Sequence, residues 1–254
     1  MQNQVVLITG ASSGIGAACA RAFAPLGVKL LLAARRLSRL QTLATQLEAE
    51  FGVQTQAIEL DVRDRTQVKS QLQTLSAEWS AIDVLVNNAG LSRGLDKLHE
   101  GSIQDWEEMI DTNIKGLLYM TRAIVPGMVQ RQQGHVINIG SIAGHQTYPK
   151  GNVYCGSKAA VRAISEGLKQ DLLGTPIRVS SVDPGLVATE FSDVRFRGDT
   201  TRAQAVYADT TPLTPKDIAD VVVFCATRPA HVNISELLIL PTAQSGATLV
   251  HRQP

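Results

Sequence analysis

Short apolar runs alternate with longer amphipathic stretches along the whole chain. The runs at 4–8, 28–34, 54–59, 83–86, 135–140, 177–182 and 237–240 are rich in Val, Ile and Leu. Several lack strict polar–apolar alternation, the mark of strands buried on both faces. Between them, apolar residues recur with a helical period at about 15–25, 38–51, 65–78, 103–131, 154–173 and 215–227. This repeated strand–helix order predicts parallel strands joined by right-handed crossovers. The expected fold is α/β: one doubly wound, Rossmann-type parallel sheet with helices on both faces. No composition shift marks a boundary, so residues 1–254 are expected to form a single domain. Only 185–214 lacks a clear period, and a loop of that length in a compact domain is expected to act as a lid.

Composition narrows the picture by exclusion. Hydrophobic residues make up 44% of the chain and charged residues 19%, enough for a large core. The net charge of +1 offers no electrostatic case for a nucleic-acid partner. No apolar run reaches the roughly 18 residues of a membrane span. Met1-Gln-Asn-Gln leads straight into a strand, without the basic region and cleavage site of a signal peptide, so a cytoplasmic protein is expected. Cys19, Cys155 and Cys225 are scattered and form no CxxC pair, and the five histidines show no ligand spacing. Neither a disulfide framework nor a metal site is expected.

The first run ends in Thr9-Gly10-Ala11-Ser12-Ser13-Gly14-Ile15-Gly16, followed by helix. Glycines there permit a tight turn and close backbone approach to a phosphate. The helix N-terminus adds free N–H groups and partial positive charge for a pyrophosphate. The spacing is G-x-x-x-G-x-G, not the common G-x-G-x-x-G. At the end of the second run, where an acid would select NAD through the 2′-hydroxyl, the chain reads Ala34-Arg35-Arg36. Two guanidiniums attract a 2′-phosphate, so NADP(H) is the expected cofactor.

Tyr154 and Lys158 lie four apart at the start of a predicted helix and so share one face. Ser141 ends the preceding run, at the carboxyl edge where such sheets bind ligands. A free phenol titrates at about 10. Lowering it by ~3 units takes ~4 kcal/mol, which the Lys158 ammonium and an oxidised nicotinamide are expected to supply jointly. Ser141 then holds the substrate oxygen while Tyr154 moves its proton.

With these residues in place, the chain resembles the short-chain dehydrogenase/reductase superfamily over nearly its whole length. The Thr9–Gly16 loop matches the family's glycine motif and implicates Gly10, Ser12, Ser13, Gly14, Ile15 and Gly16 in cofactor binding. Asp61-Val62 matches the pair that holds adenine, and Asn87-Asn88-Ala89-Gly90 the segment bordering the adenine ribose. Asn113 matches a fourth catalytic residue, which in the family anchors a water leading to the lysine. Pro184-Gly185 with Leu186, Val187 and Thr189 matches the segment beside the nicotinamide. Tyr154 and Lys158 are implicated in holding the cofactor as well.

A narrower resemblance, to the NADP-dependent 3-hydroxy acid dehydrogenases, rests on six segments. They are Arg35-Arg36, Trp106-Glu-Glu-Met-Ile-Asp-Thr-Asn, Gly151-Asn-Val-Tyr154, Val194-Arg-Phe-Arg-Gly-Asp199, Pro229-Ala-His-Val-Asn-Ile234 and His251-Arg-Gln. It implies oxidation of the 3-hydroxyl of a small acid such as serine or allo-threonine, and a homotetramer. Two alternatives share the same residues: a reductase of larger carbonyls, such as a 3-oxoacyl thioester or a ring ketone, and an NADPH-binding regulator. A hydroxy acid needs a partner for its carboxylate. Arg195 and Arg197, on one side of an extended lid with Phe196 opposite, are the expected pair. The helix after Tyr154 carries Ala159, Ala160, Val161, Ala163, Ile164, Leu168, Leu172 and Leu173 on more than one face, which suggests a subunit contact.

Overall fold

The computed structural model describes residues 1–253. The seven strands are Val5–Thr9 (β1), Lys29–Ala34 (β2), Thr55–Glu59 (β3), Ile82–Asn87 (β4), His135–Ile139 (β5), Arg178–Pro184 (β6) and Glu236–Ile239 (β7). They form one parallel sheet in the order β3-β2-β1-β4-β5-β6-β7. Val6, Leu7 and Ile8 of β1 and Leu30, Leu31 and Leu32 of β2 are all fully buried, which explains their unbroken apolar pattern. The chain winds outward from β1 in both directions, so a crevice opens between β1 and β4 at their carboxyl ends.

In chain order the helices are Gly14–Phe23 (α1), Leu37–Phe51 (α2), Arg65–Gln73 (α3), Ala77–Ser80 (α4), Ile103–Ile110 (α5), Leu117–Arg131 (α6), Asn152–Asp171 (α7), Phe191–Arg195 (α8), Thr200–Ala205 (α9) and Pro215–Ala226 (α10). Helices α1, α2 and α10 cover one face, burying Cys19, Phe23, Leu40, Leu47, Ile218 and Val222 against the sheet. Helices α3, α6 and α7 cover the other with Val68, Met120, Ile124, Met128 and Leu168.

Three stretches differ from the helical periods of the sequence. The stretch 65–78 breaks after Gln73, and Ser76, in extended conformation, starts α4; serine favours such helix boundaries over helix interiors. The stretch 103–131 widens into a π-helical segment at Asp111–Gly116. There Gly116 packs so closely on Val62 that a Cβ would lie 2.6 Å from Val62 Cγ2. The unassigned 185–214 contains α8 and α9 and is tied back to the body through paired backbone at Val187 and Leu213.

His135 begins β5 with its Nε2 2.8 Å from Ser180 Oγ. Among the described residues its buried Nδ1 has no partner. Burial, aided by the charge of Arg178, pulls its pKa down to about 3. The unfolded chain takes up this proton below about pH 6.5. The residue's contribution is therefore intact above that pH and declines by ~1.36 kcal/mol per unit as the pH falls toward 3. His135→Asn is expected to remove this slope from urea-unfolding free energies measured between pH 7 and 5. An unchanged slope would discount the buried neutral imidazole.

Candidate active site

The loop after β1 is built for close approach. Gly10 and Gly14 adopt φ of +65° and +52°, which side chains disfavour. A Cβ on Gly16 would lie 2.5 Å from the Gly10 carbonyl oxygen and 2.6 Å from Asn88 Nδ2. Asn88 holds the loop from the end of β4: Nδ2 donates to the Thr9 carbonyl at 2.8 Å and its backbone N–H to Thr9 Oγ1 at 3.0 Å. Ser13, at the N-cap of α1, makes no side-chain cap, so the first amides of α1 remain available to an anion.

At the end of β2, Arg36 is held in place by three partners. Nε donates to Ser12 Oγ at 3.1 Å, Nη2 to Ser13 Oγ at 2.7 Å and Nη1 to Glu190 Oε2 at 3.0 Å. Arg39 binds the same carboxylate through Glu190 Oε1 at 2.8 Å. Burial raises the Glu190 carboxyl, but the two guanidiniums outweigh it and hold the pKa below the usual range. With Arg35 also on the cavity wall, the cluster carries two positive charges in excess. Further along, Arg63 grips Asp61 with Nη2 at 2.6 Å and outweighs burial to keep that carboxyl low. This cradle of positive-φ glycines, open amides and surplus guanidinium fits a dinucleotide with an added phosphate.

Across the crevice, Ser141 follows β5, where its Oγ accepts from the Ala143 N–H at 3.1 Å. Its hydroxyl favours the charged form of the nearby Tyr154 phenol. Tyr154 and Lys158 occupy the first turns of α7. Lys158 donates from Nζ to the Ile139 carbonyl at 2.8 Å. Burial pulls its pKa down to about 8 against the opposing charge of Asp183. The lowering is expected of Lys158 and an oxidised nicotinamide jointly; the chain's own groups by themselves leave the phenol raised. Burial pushes the Tyr154 pKa up, Tyr148 adds to this, and the Ser141 hydroxyl and Arg195 only partly oppose them. The phenol is protonated in this state.

One cavity of about 760 Å³ joins the two halves. Gly10, Ser12, Ser13, Gly14, Ile15, Arg35, Arg36, Asp61, Val62 and Asn88 line it, as do Ser141, Tyr154, Lys158, Pro184, Gly185, Val187 and Thr189. Gly16 and Asn113 do not. Gly16 lies behind the loop, packed on Gly10. Asn113 is buried in the π-helical segment, its Nδ2 bonded to the Leu91 carbonyl at 2.8 Å and to Ser157 Oγ at 3.0 Å. It holds the loop after β4 against α7.

The arginines of 185–214 also depart from expectation. They do not lie side by side. Arg195 closes α8, whereas Arg197 has a φ of +54° that turns it away to pair with Asp105. Arg195 enters the cavity, and Phe196 is buried. Sequence reading also missed Glu190, Arg39, Tyr148 and the tail residues Ala247, Thr248, Val250 and Arg252, of which all but Arg39 line the cavity. Their partners lie far away in sequence, so no local spacing marked them. The same holds for His145, which bonds Asp183 at 2.7 Å and stands 3.4 Å from Glu236. These three ligand atoms fall within 4.8 Å of one another despite the lack of any sequence spacing.

A parallel Rossmann sheet whose carboxyl edge gathers a glycine cradle and a Ser–Tyr–Lys set defines a nucleotide-dependent oxidoreductase site. Residues 4–199 match the profile of the short chain dehydrogenase family, and the chain belongs to that family. It is 50% identical to the NADP-dependent 3-hydroxy acid dehydrogenase YdfG of Escherichia coli over 251 residues, 98% of this chain and 100% of that protein. It is 44% identical to the NADP-dependent 3-hydroxy acid dehydrogenase of Schizosaccharomyces pombe, covering 100% of this chain and 98% of that one. Among solved structures, the closed form of a serine dehydrogenase complexed with NADP+ superposes with a TM-score of 0.92 at 50% identity, covering 98% of this chain and 100% of the other.

Proposed function

We propose that this protein is an NADP-dependent dehydrogenase acting on the 3-hydroxyl of a small hydroxy acid such as serine or allo-threonine. The observation that carries the reading is the opening of Ser141, Tyr154 and Lys158 into the same cavity as the glycine loop and the arginine cluster. The similarity to two 3-hydroxy acid dehydrogenases and a serine dehydrogenase supports the substrate class. Residues 1–254 then act as a single domain for dinucleotide binding and catalysis, with 185–214 as substrate lid.

NADP(H) is the cofactor of this reading; it supplies the acceptor or donor of a hydride. Arg35 and Arg36 would hold its 2′-phosphate, the loop from Gly10 to Gly16 and the start of α1 its pyrophosphate, and Asp61, Val62 and Asn88 its adenosine end. Pro184, Gly185, Val187 and Thr189 would hold its nicotinamide end. Ser141 holds the substrate oxygen. Tyr154 takes the hydroxyl proton during oxidation and returns it during reduction. Lys158, still cationic below about pH 8, favours the phenolate form, and it would also hold the ribose of the cofactor. Asn113 positions this machinery from behind. The raised phenol is ready as an acid; the positive charge of an oxidised cofactor would favour its use as a base. Steady-state rates with NADP+ and a panel of hydroxy acids, beside 3-oxoacyl thioesters and ring ketones with NADPH, test the assignment. Turnover confined to the larger carbonyls would replace it. NADPH binding without any turnover would point to a regulator.

No helix among the described residues is long and apolar enough to cross a membrane, and we place the enzyme in the cytoplasm. It is further assigned as a homotetramer. Exposed Ala159 and Ala163 on α7 lie on the same side of the sheet as α6, which exposes Leu118. At the far edge, β7 pairs only with β6 among the described residues and exposes Leu238, and α10 exposes Phe224. Two separate self-facing surfaces generate a closed four-subunit assembly. Light scattering is expected to report four chains per particle, and a monomer at micromolar concentration would overturn this.

A further inference from the structure

Several arginines at the crevice and its rim are matched by acids. Arg63 pairs with Asp61, Arg93 with Glu108, Arg197 with Asp105, and Arg36 and Arg39 with Glu190. Arg35, Arg195 and Arg252 line the cavity without an acid partner among the described residues, and of these three Arg35 and Arg252 are exposed whereas Arg195 is not. It is half-buried and lines the cavity, and among the described residues it forms no ion pair with a carboxylate. Its hydrogen-bond partners are neutral oxygens: Nε donates to the Gly94 carbonyl at 3.1 Å and Nη2 to Tyr148 Oη at 2.7 Å. Its guanidinium carbon stands 5.7 Å from the centre of the Tyr154 ring.

Withdrawing a guanidinium from water without an anion is costly. Here neutral acceptors fix its plane, and Nη1 makes none of these bonds. The fork is thus pre-set beside the phenol, as bidentate capture of a carboxylate requires. Its mounting strengthens the case. The Arg195 carbonyl accepts from the Gly94 N–H at 3.1 Å, so side chain and backbone together clasp the loop after β4. The arginine reaches the cavity because α8 is docked there.

We propose that Arg195 is the carboxylate-binding residue of the active site, selecting substrates in which two carbons separate the carboxylate from the reacting hydroxyl. This rests on the hydroxy-acid reading and narrows it: the acid is recognised by α8, so specificity and closure of 185–214 share one side chain. Arg197, committed to Asp105, takes no part.

The test compares 3-hydroxypropanoate with its methyl ester, which keeps the hydroxyl and removes the charge, using NADP+ and the full-length enzyme. The unmodified protein is expected to favour the acid. Arg195→Ala is expected to lower the acid-to-ester ratio of kcat/KM by about 10- to 100-fold, the range for a charged hydrogen-bonded contact, mostly through KM for the acid. Arg195→Lys keeps the charge without the fork and should recover only part of the ratio. Arg197→Ala should leave the ratio unchanged. Calorimetry of malonate binding to the NADP+-loaded Arg195→Ala variant should show the same loss of affinity without turnover. Equal losses on acid and ester would overturn the clamp and leave Arg195 as a partner of Tyr154 alone, as would unchanged ratios or unchanged malonate binding. Failure of the unmodified enzyme to oxidise any acid while it oxidises the ester would overturn the hydroxy-acid reading itself, and the clamp with it.

Discussion

Tyr154→Phe is expected to cut turnover by ~10²–10⁴-fold, the usual loss when a proton-transferring group is removed, while NADP+ still binds. The ring survives the change, and with it the packing against Phe191 at 5.6 Å between centroids. Only the hydroxyl near Ser141 is lost. The pH dependence carries a sign. Burial raises the phenol, so oxidation by the unmodified enzyme should speed up as the pH rises and the phenolate fraction grows. Near pH 8 Lys158 begins to lose the charge that favours the phenolate, which limits the rise. The residual rate of the Phe variant should lack the phenol-dependent rise. Lys158→Met should damage turnover and cofactor affinity together. Stopped-flow hydride transfer with titrated NADP+ separates the two effects, and near-normal turnover in the Phe variant would refute the assignment.

Replacing Arg35 and Arg36 together with Ala is expected to raise KM for NADP+ by roughly 100-fold and leave that for NAD+ nearly unchanged. A charge-assisted hydrogen bond contributes about 1.5–3 kcal/mol. Arg36 keeps 43% of its side chain exposed, which places the pair near the lower end. About 3 kcal/mol for both corresponds to roughly 100-fold. The selectivity follows from geometry: Ser12, Ser13 and Glu190 aim Arg36 at one corner of the cavity, away from Tyr154 and Ser141 at its other end. Equal rates with the two cofactors in the unmodified protein would refute this, as would a matching loss with NAD+ in the variant.

The strands were legible because burial on both faces writes itself as an uninterrupted apolar run, as in Leu30–Leu32. The glycine loop and Arg35-Arg36 were legible because each is a contiguous segment next to a strand end. What escaped depends on contacts between remote segments. The π-helical widening answers the approach of Val62 to Gly116, which no helical period contains. The extended lid failed because Arg197 adopts a left-handed conformation, which separated two arginines that an extended chain would align. Glu190 is remote in sequence from Arg36 and Arg39 and meets them only on folding. The desolvation that raises the Tyr154 phenol depends on packing around the ring, which no residue spacing records.

The arginine cluster at the end of β2 has one further consequence. Arg36, Arg39 and Glu190 keep 43%, 49% and 47% of their side chains in contact with solvent. Mobile ions reach such charges, and at 0.1 M their field fades over about 10 Å. On the proposed reading the phosphate that distinguishes the two nicotinamide cofactors would be held mainly by that field, and their shared parts by the glycine loop and the deeper cavity. Added salt therefore weakens the grip on one cofactor more than on the other, and discrimination narrows as ionic strength rises. The preference belongs jointly to the protein and its electrolyte.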